Sequence, residues 1–156
     1  MFAIPYLYNY INRPELSVLQ SRTIAKTLYN TSVNGLPGNS DAGAMQTWLL
    51  WNMIGLYPVT GQTTFLIHSP WFDSLEIDLG SGKKLSVTST GGDNNGDSAY
   101  YVQSLKINGQ KWDKAWLTWD DVFANGGTLE FELGEQPVQW AKGGDAPPSP
   151  ASTIDY

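Results

Sequence analysis

Cysteine is absent from this 156-residue chain and histidine occurs once, so two large classes of site chemistry are closed before any motif is read. Without cysteine there is neither a disulfide framework nor a thiolate metal site, and the redox compartment stays open. A Ser-His-Asp system would have to use His68, which lies at the end of an expected strand before Ser69-Pro70 and reads as structural. A zinc site would be left with carboxylates alone. No phosphate-cradling glycine motif followed by Lys and Ser or Thr occurs. Basic residues are also few: nine, scattered, against fifteen acids, for a net charge of -6. Nucleic acid and anionic membranes need clustered Lys and Arg, so neither is expected as a partner. Met1 to Tyr10 is apolar and aromatic but lacks the basic start and long apolar core of a signal peptide, and it is too short to span a membrane.

Aromatic residues, in contrast, are abundant. Seven tryptophans and eight tyrosines fill cores, and such rings also stack on the C–H faces of sugars. The length suits one domain or pieces of two. The first ten residues read as buried structure cut open, Asn12 to Pro14 as a turn, and Glu15 to Tyr29 as an amphipathic helix with Leu16, Leu19, Ile24 and Leu28 near the helical period. Glu15 and Lys26 complement its dipole. Asn30 to Ser40 connects to Ala44–Leu56, a helix apolar on every face that needs protein around it and that Pro58 is expected to stop.

After Pro58 the period becomes two. Thr63 to Ile67, Leu75-Ile77-Leu79, Leu85-Val87, Tyr101 to Ile107 and Leu129-Phe131-Leu133 read as strands, with Asn108-Gly109 as a tight hairpin turn and Asp120-Asp121 opening a short turn or helix. The fold class is thus α+β, with helices in residues 1–60, an antiparallel, sandwich-like β region in residues 61–142, and a Pro-, Ser- and Ala-rich mobile tail in residues 143–156.

The stretch Gly35 to Gly43, Gly-Leu-Pro-Gly-Asn-Ser-Asp-Ala-Gly, delivers Asp41 to the start of the apolar helix. Asp is a favoured N-cap, so this carboxylate is either a simple cap or a group placed for chemistry. The positive end of the helix dipole suits an ionised acid there, and an ionised acid serves as a base. Glu76, Asp78, Glu130 and Glu132 fall on the outward side of alternating strands. Asp93 to Asp97 has oxygen ligands at alternate positions but lacks the glycine and later Glu of an EF-hand, and reads as a solvated turn.

Ile4-Pro5-Tyr6-Leu7-Tyr8-Asn9-Tyr10, the Gly35–Gly43 stretch, Trp48, Gly55-Leu56-Tyr57-Pro58-Val59, and then Ser69-Pro70 with Phe72 together resemble the end of the catalytic domain of glycoside hydrolase family 92. The resemblance implies the last helices of an (α/α)6 barrel followed by β structure, and a calcium-dependent, inverting, exo-acting α-mannosidase acting on a mannose-containing glycan. It aligns Asp41 with the final Asp of a Gly-Asn-Asp-Asp or Gly-Asp-Glu-Asp motif, the general base, and Asn39 with a position held by Asn or an assisting Asp. Ser40 stands where the family has an acid and Ala44 where it often has Gln. An inverting mechanism needs a second carboxyl roughly 6.5 to 9.5 Å away, and the family's general acid lies upstream of the Tyr-Leu-Tyr-Asn-Tyr segment. The resemblance therefore implies a carboxy-terminal fragment with an internal Met1, inactive alone, needing the missing upstream portion, with calcium ligands mostly outside the chain. It leaves localisation unknown, a secreted parent being one option. The competing reading is a non-catalytic carbohydrate-binding or interaction module with Trp112, Trp116 or Trp119 as its platform.

Overall fold

A computed structural model describes residues 2–93 and 97–149. The chain opens with a 3-10 helix, Ile4–Ile11, which buries Pro5, Tyr6 and Asn9 and exposes Ile4, Leu7 and Ile11. Asn12 in the left-handed region ends it, and Pro14, whose missing N–H costs nothing in a first turn, begins α1 (Pro14–Leu28). The buried stripe of α1 differs from the expected leucine face: Ser17, Val18, Ser21, Arg22 and Ala25 are buried while Leu28 is exposed. Polar groups can face inward there because Ser17 and Arg22 find partners on other elements and Ser21 donates to the Val18 carbonyl of its own helix. Ser17 donates to Asn9, and Arg22 donates to Ser69 Oγ at 3.0 Å and to the Pro70 carbonyl at 2.6 Å.

Helix α2 (Ala44–Ile54) is stopped by Gly55, not by Pro58. Gly55 adopts φ 94°, a conformation glycine enters without a Cβ penalty, and its N–H reaches the Trp51 and Asn52 carbonyls. The chain then turns directly into strand β1 (Leu56–Pro58), so Leu56 is a strand residue and not the last of the helix. β1 pairs antiparallel with β2 (Thr64–Ile67), and this sheet uses residues on both sides of residue 60.

The second sheet comprises β3 (Ser74–Gly80), β4 (Lys83–Thr90), β5 (Tyr101–Ile107), β6 (Gln110–Trp112) and β8 (Gly127–Gly134), in the order β3-β4-β8-β5-β6. Strand β7 (Trp116–Thr118) joins the first sheet beside β2, and α3 (Trp119–Val122) follows it. The Asn108-Gly109 turn closes the β5–β6 hairpin with φ 50° and 76°, the paired positive values a two-residue turn of this kind requires. The expectation of a wholly antiparallel region is corrected in one place. β8 inserts between β4 and β5 and runs parallel to β4, because the intervening β5, β6, β7 and α3 return it in the same direction. Leu85, Val87, Leu105, Leu129 and Phe131 from the larger sheet meet Leu56, Phe65, Ile67 and Leu117 from the smaller one in a single core.

A second core of Tyr6, Ala25, Trp48, Tyr57 and Leu66 joins the helices to the smaller sheet. Residues 143–149 carry no regular structure but run against the body: Asn12 donates to the Gly144 carbonyl, Trp116 to that of Asp145, and Pro147 is buried. The remainder of the expected tail, 150–156, lies outside the described residues.

Gly55 allows a direct test of the α2 stop. A Cβ there would stand 2.8 Å from the Pro70 nitrogen, whereas one on Gly61 (φ 76°) meets nothing within 4 Å. Urea unfolding should show Gly61→Ala costing about 1 kcal/mol from left-handed strain and Gly55→Ala roughly 2–4 kcal/mol from strain plus clash.

Candidate active site

Three successive residues before α2, Asp41, Ala42 and Gly43, hold φ of 46°, 57° and 87°. Left-handed backbone is unfavourable for Asp and more so for Ala, so this loop stores strain in the manner of a functional segment. The local hydrogen bonds show what the strain accomplishes. Ser40 Oγ, rather than the Asp41 carboxylate, accepts the Gly43 N–H at 3.2 Å, and Ser40 also donates to Gln46 at 2.6 Å. Asp41 is not the N-cap: Gly43 occupies that position, with no side-chain cap bond. The carboxylate, released from capping, is exposed and accepts one hydrogen bond at Oδ1 from Asn39 Nδ2 at 3.0 Å.

Asp41 stands at the edge of a cleft of about 270 Å³ walled by Phe2, Trp48, Trp51, Tyr57 and Thr60. Sequence reasoning found Asp41 and Asn39 but missed these walls. Trp48 and Trp51 come from α2 and Tyr57 from β1, and the signal for them was the aromatic spacing within the apolar run. The walls are held from behind. Tyr57 stacks on Tyr6 with 4.3 Å between ring centroids, and Trp48 stacks on Tyr29 at 5.6 Å. Trp71 Nε1 donates to Asn52 Oδ1 at 2.9 Å, and Asn52 Nδ2 donates to the Tyr6 hydroxyl at 3.0 Å. Burial raises the pKa of the Tyr6 and Tyr57 phenols, so both stay neutral at physiological pH.

The other sequence candidates are placed elsewhere. Glu76, Asp78, Glu130 and Glu132 are exposed, Glu76 pairing with Lys84. Asp93 accepts the N–H groups of Asp97 and Ser98 and the Ser98 hydroxyl, and Asp97 pairs with Lys26. Residues 94–96 of that expected solvated turn lie outside the described residues. Asp121 accepts the Thr118 N–H and hydroxyl at the start of α3.

A family model described as the glycosyl hydrolase family 92 catalytic domain matches residues 1–135. The chain belongs to glycoside hydrolase family 92. It is 36% identical to a secreted glycosidase of Arthroderma benhamiae over 95% of its own length and 19% of that protein's. A family 92 α-mannosidase of Bacteroides thetaiotaomicron, solved with mannoimidazole, superposes with TM-score 0.86 at 32% identity, over 96% of this chain and 20% of that one. An inverting family 92 mannosidase from the same species gives TM-score 0.77 at 31% identity, over 87% and 18%. The chain thus spans about a fifth of the length of these relatives.

That share bears on the chemistry. In this family 92 segment Asp41 is the one carboxylate lining the cleft, and no group of three or more His, Asp or Glu side chains converges on a metal position among the described residues. Calcium takes six to eight oxygens, so Asp41 and Asn39 cannot by themselves furnish its shell.

His68 is fully buried against Tyr6, with 5.0 Å between ring centroids, and neither ring nitrogen has a hydrogen-bond partner among the described residues. Burial and, after it, the Arg22 charge depress its pKa to about 3; the nearby backbone of Leu56 and Ser69 works weakly the other way. Such a ring is neutral packing, not a catalytic base. The unfolded chain binds the proton that the folded chain excludes, so stability should fall as pH drops from 6.5 toward 3, by up to about 1.4 kcal/mol per unit. Between pH 6.5 and 5, above the carboxylate range, urea unfolding should lose this slope in His68→Leu.

Proposed function

We propose that this chain is the carboxy-terminal part of a longer, exo-acting, inverting α-mannosidase and that Asp41 is its general base. The observation that carries the reading is a carboxylate turned away from helix capping by a left-handed loop and presented, with one amide partner, at an aromatic cleft. The solved mannosidases of the same family support the substrate class, and the inverting relative supports the stereochemistry.

Asp41 takes a proton from water as the water oxygen bonds to the anomeric carbon of a terminal α-mannose. Asn39, donating to one carboxylate oxygen, leaves the other to accept the water proton and fixes the plane of the group. The glycosidic bond breaks on the opposite face, where the leaving oxygen is protonated by an acid contributed from outside this chain, and the free mannose has inverted configuration. The aromatic walls exclude competing water and offer apolar faces to the sugar. Calcium, held mostly by ligands outside this chain, would supply charge to the bound sugar. An α-1,2 linkage is the proposed preference and an extracellular setting the proposed location, the latter supported by the secreted relative.

In the full-length enzyme, Asp41→Asn should lower kcat about 10²- to 10⁴-fold with KM little changed, and Asn39→Ala about tenfold, measured on α-1,2-mannobiose with calcium. The 156-residue chain alone should show no turnover in the same assay. An unchanged rate in Asp41→Asn rejects the base assignment, and robust turnover by the isolated chain rejects the need for a second carboxyl.

A further inference from the structure

A groove of the β region lies away from Asp41, between the β5–β6 edge of the five-stranded sheet and the segment after β8, and encloses about 370 Å³. Trp112, half-buried on β6, and Trp140 line it. Its rim carries Lys111 and Lys142, and no Asp or Glu lines it. That bias is notable in a chain of net charge -6 with nine basic residues. A third cation, Lys114, lies outside the groove lining, its Nζ 5.7 Å from the Trp112 ring centroid and 5.2 Å from that of Trp116. The acid next in sequence, Asp113, has its carboxylate against Gly143, and Glu132 accepts the hydroxyl of the groove residue Ser104 at 2.9 Å.

The hydrogen-bonding groups left over are those a pyranose uses. Gln103 donates through Nε2 to the Tyr101 and Gln136 carbonyls and Gln139 to the Asn12 carbonyl, which leaves both amide oxygens as acceptors for hydroxyls. Trp140 is 9% exposed, and its indole N–H is buried with no partner among the described residues.

We propose that this groove is a second carbohydrate site, separate from the catalytic cleft and selective for anionic sugars. The ring stacks on Trp112, hydroxyls donate to Gln103 and Gln139, and a carboxylate or phosphate on the sugar meets Lys111 and Lys142. The volume suits one such residue with its charged substituent, being at the small end of ordinary ligand pockets. A site of this kind would hold acidic glycans near the enzyme without taking part in hydrolysis.

Calorimetric titration of the chain at low salt with glucuronate, mannose 6-phosphate, neutral mannose and inorganic phosphate tests the proposal. Both anionic sugars should bind at least about fivefold tighter than mannose, weakening as salt screens the lysines, and the two arms rank carboxylate against phosphate. Inorganic phosphate should bind more weakly than either. The surface double variant Lys111→Gln/Lys142→Gln should erase the preference while the circular dichroism spectrum stays unchanged, and Trp112→Leu should weaken all sugars. Equal affinity for mannose, equal affinity for inorganic phosphate, absence of binding in every arm, or a preference that survives the double lysine variant would each overturn it.

Discussion

The structure depends on one buried amide. Asn9 has no exposed surface, and its Nδ2 donates to the carbonyls of Ile67 at 2.8 Å and Ala115 at 2.6 Å while its Oδ1 accepts from Ser17. A single side chain therefore ties the opening 3-10 helix to α1, to the end of β2 and to the segment entering β7. The buried Asn9 amide itself would be left without partners if these bonds were lost, at about 1–3 kcal/mol for each unsatisfied group, whereas the Ala115 carbonyl also accepts the Ile67 N–H at 3.0 Å. The helical and strand regions are one packed body because this junction and the neighbouring Arg22 contacts cross between them.

From Asn9 the constraint reaches the cleft. Tyr6, one 3-10 turn earlier, presents its ring to Tyr57 and its hydroxyl to Asn52, and Asn52 in turn holds Trp71. The Arg22 guanidinium lies 4.7 Å from the Trp71 ring centroid and 5.3 Å from that of Tyr100, closing the chain of contacts on the sheet side. Burial draws its pKa down to about 10, with Asp93 and Tyr100 offsetting part of the effect, so it stays charged under physiological conditions. The aromatic walls thus line a cleft that has the strained loop at its edge, where the Asn39 hydrogen bond orients the Asp41 carboxylate. Elsewhere on the helical elements Ile4, Leu7, Ile11 and Leu50 are exposed. Exposed large apolar side chains on the helices accord with a chain spanning about a fifth of its relatives' length.

Local periodicity made most of the strands legible, because alternation needs no knowledge of the partner. Leu75-Ile77-Leu79, Tyr101–Ile107 and Leu129-Phe131-Leu133 lie within strands close to where the pattern set them, and Asn108-Gly109 forms its hairpin. What could not be read depended on tertiary context. The parallel β4–β8 pair joins strands separated by four intervening elements. The buried stripe of α1 is polar because Asn9, Ser69 and Pro70 await it, and no helical period encodes their presence. Gly55 rather than Pro58 ended α2 because a glycine C-cap acts before a downstream proline is reached. Asp41 was legible as a distinctive acid through its glycine-rich loop, but Gly43 holding the N-cap position and Asn39 partnering the carboxylate depend on a loop conformation that no sequence pattern encodes.

If Asp41 is the base, its removal leaves a cavity on the water side of the anomeric carbon, and a small anion can take the place of the activated water. Incubating the full-length Asp41→Ala enzyme with an activated α-mannoside and azide, then identifying the product by nuclear magnetic resonance, tests this most directly. The account predicts restored turnover yielding β-mannosyl azide, the inverted product. An Asp41→Ala enzyme that hydrolyses at the normal rate without azide, or that yields α-mannosyl azide, would contradict it.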